Sequence, residues 1–354
     1  MTMEDAQDPG FHIRQRTRLN DDQVTMAHGS GGKAAGALIQ EVFIPAFGDD
    51  VVELPDARVL AVEAGNIAFT TDSYVVQPIR FPGASIGELA VNGTVNDLCV
   101  TGAIPQWLSA GFILEEGLAM DELREIVNDM RRAAEKAGVR IVTGDTKVVP
   151  RGAADKIFIN TAGIGIVPQG RTLGGACVQY GDRVILSGPI AAHGMAVMIA
   201  RGNLAISAPI ESDSAALNHL VEAMYEAVDS GSVHWMRDAT RGGVATIVNE
   251  LTRNAHKGVL LEEEAFVVAP QVRGACDMLG IDPLYVANEG CFMAVVAAEA
   301  AEAALKAIRD AGALHATIVG EVVENPPGLV AVRNAFGGTR LVDMLVTDPL
   351  PRIC

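Results

Sequence analysis

Apolar positions recur along this chain with two periods, one of a helix and one of a strand, in two blocks that part near residue 170. Over residues 85–100, Ile86, Leu89, Ala90, Gly93, Val95 and Leu98 return at helical spacing. Residues 121–137 predict an amphipathic helix with acidic side chains early and basic ones late, the order a helix dipole favours. Strand-like β-branched and apolar stretches fall at 58–70, 107–114, 139–143 and 157–166. The pattern breaks at Val167-Pro168-Gln169-Gly170 and resumes at Asp182. Beyond it, helices are predicted at 193–201, 214–229, 243–256 and 300–311, and strands at 259–261, 292–297, 316–322 and 329–332. Strands and helices mix without a clean βαβ repeat, so the pattern predicts two α+β domains joined at 168–180.

Composition narrows the choices. The chain has 354 residues, enough for two sizeable cores, and with only 5% aromatic content those cores must be aliphatic. A net charge of −17 argues against nucleic acid or an anionic membrane as the main partner. The N-terminus lacks the basic start and apolar run of a signal peptide, and no apolar stretch reaches membrane-spanning length. Five cysteines at 99, 177, 276, 291 and 354 lack metal-ligand spacing, which fits reduced thiols in the cytoplasm rather than a zinc site.

Four segments carry polar chemistry. His28-Gly29-Ser30-Gly31-Gly32-Lys33 runs into a helix-like stretch, so its amides can point at an anion, although it lacks Walker A spacing. Aspartates 56, 72, 97, 145 and 238 fall at the ends of predicted elements. Each alone is an ordinary cap or turn residue; gathered in an acidic protein they would need a hard cation such as Mg²⁺ between them. Gly144-Asp145-Thr146-Lys147 follows a strand and offers a lysine for phosphate or base work, or a solvated surface lysine. Asn288-Glu289-Gly290 offers a carboxylate beside a glycine turn. The chain ends on Cys354, after prolines at 349 and 351 that favour an extended run suited to carrying a sulfur into a site.

In combination these segments resemble the ATP-dependent superfamily typified by aminoimidazole ribonucleotide synthetase (PurM). The similarity extends to its hydrogenase-maturation branch, the HypE carbamoyl dehydratases, and covers nearly all of residues 25–354. Besides the segments above it is carried by Phe69–Val76, Phe81-Pro82-Gly83, Gly93–Asp97, Leu108–Gly117, Arg237–Gly243 and the terminal Pro351-Arg352-Ile353-Cys354, which sister enzymes lack. The resemblance implies a loose N-terminus (1–20), a PurM-like ATP-binding domain with a dimerising mixed sheet (21–170), a C-terminal α/β sandwich domain (171–340) and a mobile tail (341–354). It implies that a HypF carbamoyltransferase loads Cys354, that ATP and Mg²⁺ drive dehydration of the S-carboxamide to a thiocyanate, and that cyanide passes to iron on a HypC–HypD complex. Catalytic roles fall to Cys354, Lys147 and Glu289. Nucleotide contacts fall to Gly29, Ser30, Gly31, Gly32, Lys33, Asp72, Asn96 and Asp145, and metal ligation to Asp56, Asp97 and Asp238.

Two positions depart from the family pattern. Cys291 stands where a basic residue usually follows Asn-Glu-Gly, which removes an expected phosphate contact, and Ala192 replaces an aspartate before His193-Gly194, which leaves His193 a structural role. Two other readings compete: a superfamily small-molecule kinase or synthetase, which would not need the terminal thiol, and a non-catalytic scaffold whose tail docks a partner. A selenophosphate-type enzyme is disfavoured because no cysteine precedes Cys99.

Overall fold

Alternation along Ile104–Glu115 and Ile157–Val167 sends every second side chain toward one face, and these two long strands pair at the middle of a first sheet. The computed structural model describes residues 19, 21–29, 33–47, 66–202, 208–344 and 353. Its N-terminal unit comprises α1 (Lys33–Leu38), α2 (Ile44–Phe47), β1 (Asn66–Tyr74), the two-residue strands β2 (Arg80–Phe81) and β3 (Ala84–Ser85), α3 (Ile86–Cys99), β4 (Ile104–Glu115), α4 (Met120–Ala137), β5 (Arg140–Val149) and β6 (Ile157–Val167). The sheet runs β1-β6-β4-β5 and is mixed, with only β4 and β5 parallel.

Helix α3 starts at Ser85, whose hydroxyl accepts the Glu88 amide and donates to Asp129 on α4 at 2.7 Å. Helix α4 stops at Gly138 in the left-handed conformation, the usual helix terminator. Helix α3 lies over β1 and β6 and packs against α4, which reaches β5. The opposite face of the sheet leaves Ile67 (57%), Phe69 (68%) and Ile113 (43%) exposed.

The second unit contains β7 (Arg183–Leu186), α5 (Ala192–Ala200), α6 (Asn218–Ala227), β8 (Val233–Asp238), α7 (Gly243–Ala255), β9 (Gly258–Glu262), α8 (Pro270–Leu279), β10 (Phe292–Val296), α9 (Ala301–Asp310), β11 (Thr317–Val323), β12 (Val330–Arg333) and β13 (Thr339–Val342). Its seven strands run β13-β12-β9-β11-β7-β10-β8, antiparallel except for β12 beside β9. Alternation along β10 explains its uniform burial. Met293 and Val295 enter a core shared with α7, while Phe292, Ala294 and Val296 enter a second one shared with α6 and α9. The sheet is therefore clothed on both sides.

A third core belongs to both units. It runs from the N-terminal sheet and α3 through Met195 of α5 and Val272 of α8, and it includes Ile353, the residue before the chain's end.

Two local expectations change, and three elements were not foreseen. The strand expected over 139–143 continues to Val149, so Gly144-Asp145-Thr146-Lys147 lies within an edge strand rather than after it. The helix expected from 214 starts at Asn218, because residues 209–217 form an extended segment bonded to α3 and to the Glu289 loop. Strands β8 and β13 and helix α8 have polar-rich sequences that gave no clear period.

Candidate functional site

The two units meet where α3 faces the extended segment and the Asn288-Glu289-Gly290 turn. Asn96, 1% exposed, donates to the carbonyls of Ala215 (3.0 Å) and Glu289 (3.3 Å) and accepts the Leu217 amide at 2.8 Å. This residue, which the resemblance makes a nucleotide contact, has both ends of its amide bonded at this junction. Asp213 accepts the backbone amides of Glu289 (3.1 Å) and Gly290 (3.2 Å) on its two carboxylate oxygens. A side chain at Gly290 would place Cβ 1.8 Å from the Asp213 carbonyl oxygen, so only glycine fits. Asn288 fixes the turn from the other side, accepting the Ala191 amide and donating to the Ala239 carbonyl.

This clamping holds Glu289 in a crowd of carboxylates. Burial, and then the charges of Asp238, Asp213, Asp72 and Asp97, push the Glu289 carboxyl well above the usual range. Burial and the Asp97 charge raise Asp238 to about 7, with Arg237 opposing them. Asp97 is raised mainly by burial, against the stabilising 2.9 Å hydrogen bond it accepts from the Thr70 hydroxyl. Asp213 is raised to about 6 by burial; part of the residue reaches the surface, but its carboxylate is packed in. Tyr74 faces the same group, its hydroxyl raised by burial and by the Asp72 charge, and Gly93 makes room for it, since a Cβ there would lie 2.3 Å from the Tyr74 oxygen.

Clustered carboxylate oxygens with raised proton affinity suit a hard divalent cation. Among the described residues no group of three or more His, Cys, Asp or Glu side chains is arranged to enclose a metal. Mg²⁺ commonly takes only one or two protein carboxylates and completes its shell with water and phosphate oxygens.

The remaining expected residues fall elsewhere or outside view. Lys147 and Asp145 pair on β5, the lysine donating to both carboxylate oxygens at 2.9 and 2.8 Å, and both side chains are largely exposed. The Lys147 bond lowers the Asp145 pKa. Gly29 ends a short turn (Met26–Gly29) and Lys33 opens α1. Ser30, Gly31, Gly32, Asp56 and Cys354 lie outside the described residues. Asp72 sits on β1 with its carboxylate exposed and bonded to the Ser73 amide.

Two residues were missed. Asp213, one residue before a predicted helix, was passed over, although its setting between Ser212 and Ser214 is a loop and cap signal. His193, expected to be structural, bonds through Nε2 to the Ile353 carbonyl at 2.7 Å. Cys291 is buried against Ser187 and Gly188, away from any phosphate role.

Comparison with known proteins fits this geometry. Residues 55–167 match the N-terminal domain of AIR synthase related proteins and residues 179–332 the C-terminal domain. The chain is 50% identical to the carbamoyl dehydratase HypE of Rhodobacter capsulatus over 342 residues, covering 95% of this chain and 99% of that one. Identity to HypE of Escherichia coli K12 is 43% over 341 residues, covering 94% and 100%. A crystal structure of HypE in complex with ATP superposes with a TM-score of 0.88 at 45% identity, covering 93% of this chain and 99% of that one. HypE from a HypE–HypF complex superposes at 0.76 with 44% identity, covering 88% and 100%. Thiamine monophosphate kinase from Aquifex aeolicus shares the fold alone, at 0.57 and 17% identity over 79% of this chain and 89% of that one.

Proposed function

Since the chain belongs to the HypE family of carbamoyl dehydratases, we propose that it uses ATP to dehydrate an S-carboxamide carried on its own Cys354. The product is an S-thiocyanate that supplies cyanide ligands to the [NiFe]-hydrogenase iron. The observation that carries this reading is Glu289, a buried carboxylate of raised basicity clamped by Asn96 and Asp213 at the seam of the two units.

Dehydration removes the carboxamide oxygen and two protons from its nitrogen, leaving sulfur, carbon and nitrogen joined as S–C≡N. Mg²⁺-ATP supplies the phosphoryl group that makes the oxygen a leaving group. Asp97 and Asp238, with Asp56, would hold the metal; Gly29, Ser30, Gly31, Gly32 and Lys33 would lie along the phosphates, with Asp72 beside them. Glu289 takes one nitrogen proton, and its raised pKa makes it a stronger base than an ordinary carboxylate. The Lys147–Asp145 pair is assigned the other. Burial of Glu289 limits water at the reacting carbon and so protects the activated group from hydrolysis.

The partners follow the same reading: a HypF-type carbamoyltransferase loads Cys354 and a HypC–HypD complex accepts the cyanide. The exposed apolar trio Ile67, Phe69 and Ile113 favours a homodimer formed through the first sheet. Free thiols at Cys99, Cys177, Cys276 and Cys291 favour the cytoplasm, and among the described residues no helix is long and apolar enough to cross a membrane.

The test is mass spectrometry of the C-terminal peptide after incubation with the carbamoyl-loading partner and ATP. A carbamoyl adduct that loses one water only when ATP is present is expected, and Cys354→Ala should carry no adduct while still binding nucleotide. An adduct that never loses water would overturn the reading.

A further inference from the structure

A penultimate residue is ordinarily frayed, yet Ile353 is 1% exposed and sits in the core that both units share. Its backbone is held as well as its side chain. His193 on α5, wholly buried, approaches the Ile353 carbonyl through Nε2 at 2.7 Å. A carbonyl only accepts, so Nε2 carries the proton. Burial lowers the imidazole pKa to about 4, so the ring is neutral and Nδ1 must accept. The Ser212 hydroxyl, 2.8 Å away, supplies that proton, and its own oxygen accepts the Ser214 amide at 3.1 Å. The Ser214 hydroxyl in turn accepts from Asn92 on α3 at 3.1 Å. One tautomer and one ring orientation are thus fixed by a donor chain that begins in the N-terminal unit, and the edge of Phe81 braces the ring at 5.4 Å between centroids.

The anchor also shares a support with the site. The His193 backbone lies beside Asp213 and favours the charged form of the carboxylate that accepts the amides of Glu289 and Gly290.

We propose that Ile353 and His193 form a latch for the chain's end: the isoleucine is the element the pocket recognises, and His193 is a positioning residue that fixes the carbonyl next to the terminal thiol. The proposal rests on the function proposed above for its purpose, which is to set Cys354 for dehydration and release it for loading and transfer. Burying an isoleucine favours the docked state by roughly ten- to a hundredfold. Losing the imidazole donor should lower that ratio by about tenfold, because the Ile353 carbonyl is left buried without a partner.

The experiment measures alkylation of Cys354 by iodoacetamide on the full chain, followed by mass of the C-terminal peptide, in the wild type and in Ile353→Ala, His193→Leu and His193→Gln. Neither ATP nor carbamoylation is needed, so the outcome is independent of whether dehydration occurs. Alkylation is expected to accelerate about tenfold in His193→Leu and by at least that in Ile353→Ala. His193→Gln should stay near the wild type, since its amide N–H can reach the same carbonyl. Buried Cys99 and Cys291 report that the variants are folded. Ile353→Ala, at the chain's end, decides the matter even if a His193 variant fails to fold. An unchanged rate in Ile353→Ala, or a His193→Gln rate equal to that of a folded His193→Leu, overturns the latch. In single turnover with preloaded chain, His193→Leu should dehydrate more slowly while loading by the transferase is not slowed; loss of both steps alike would instead indicate general damage and count against it.

Discussion

Asp213→Asn isolates the carboxylate on which the Glu289 turn hangs. In the folded chain burial raises this carboxyl from 3.8 to about 6. For an acid whose folded pKa is raised, the folded state keeps the proton that the unfolded chain has lost. Its contribution is therefore fully present below about pH 4 and falls away as pH climbs through 6. The displacement is worth up to about 3 kcal/mol, an upper figure because part of the residue reaches solvent. The asparagine variant has no such titration. The stability difference, wild type minus variant, should accordingly shrink by as much as about 3 kcal/mol between pH 4 and pH 7.5. On top of this lies a nearly constant loss of about 1–3 kcal/mol, because one of the two acceptor oxygens becomes a donor facing an amide N–H. Urea denaturation across that range checks it, provided the dependence on urea stays constant. The same variant removes one of the charges that raise Glu289, so the acid limb of the dehydration rate should move to lower pH. A pH-independent stability difference, or a limb that moves upward, would refute the reasoning.

Other outcomes follow from the same geometry. Gly290→Ala should cost at or above about 3 kcal/mol, because the new Cβ meets backbone rather than a side chain that can turn away; thermal unfolding measures it. Mg²⁺-dependent binding of an ATP analogue should weaken as pH falls below about 7, since protons compete with the cation for Asp238 and its neighbours; titration calorimetry at pH 6 and 8 would expose a flat profile as a failure. Phe69→Lys, on the open sheet face, should yield monomers by light scattering while nucleotide affinity per subunit is retained.

The long elements were legible because their periods are strong: α4 alternates charge against a single apolar stripe, and β4 and β6 alternate over many residues. The polar turn Asn288-Glu289-Gly290 and the Gly93–Asp97 stretch of α3 were also visible as residues, since glycine and amide side chains stand out among aliphatics. What each amide does was not. The family resemblance made Asn96 a nucleotide contact, while its hydrogen-bond partners in the fold lie 119 and 193 positions away in sequence. Asp213 was hidden for the related reason that its acceptor role depends on amides 76 and 77 positions downstream. Local pattern names the donors and acceptors; only long-range closure decides which of them meet.

The chain's end makes the same point with energies attached. From the sequence, two prolines before a terminal thiol suggested a tail free to travel, and the reaction proposed here requires travel. A buried isoleucine contributes about 1.5–3 kcal/mol and one internal hydrogen bond about 1 more, while fixing the one backbone unit of Ile353 costs about 1–2 kcal/mol of that back. The balance is a docked state favoured by a modest factor, tight enough to hold a thiol in register and weak enough to open without unfolding anything else. A leucine-rich or disulfide-pinned terminus would dock more firmly and could not serve a loading partner. A polar penultimate residue would serve the partner and leave the sulfur unplaced. One aliphatic side chain and one imidazole donor fall between these limits.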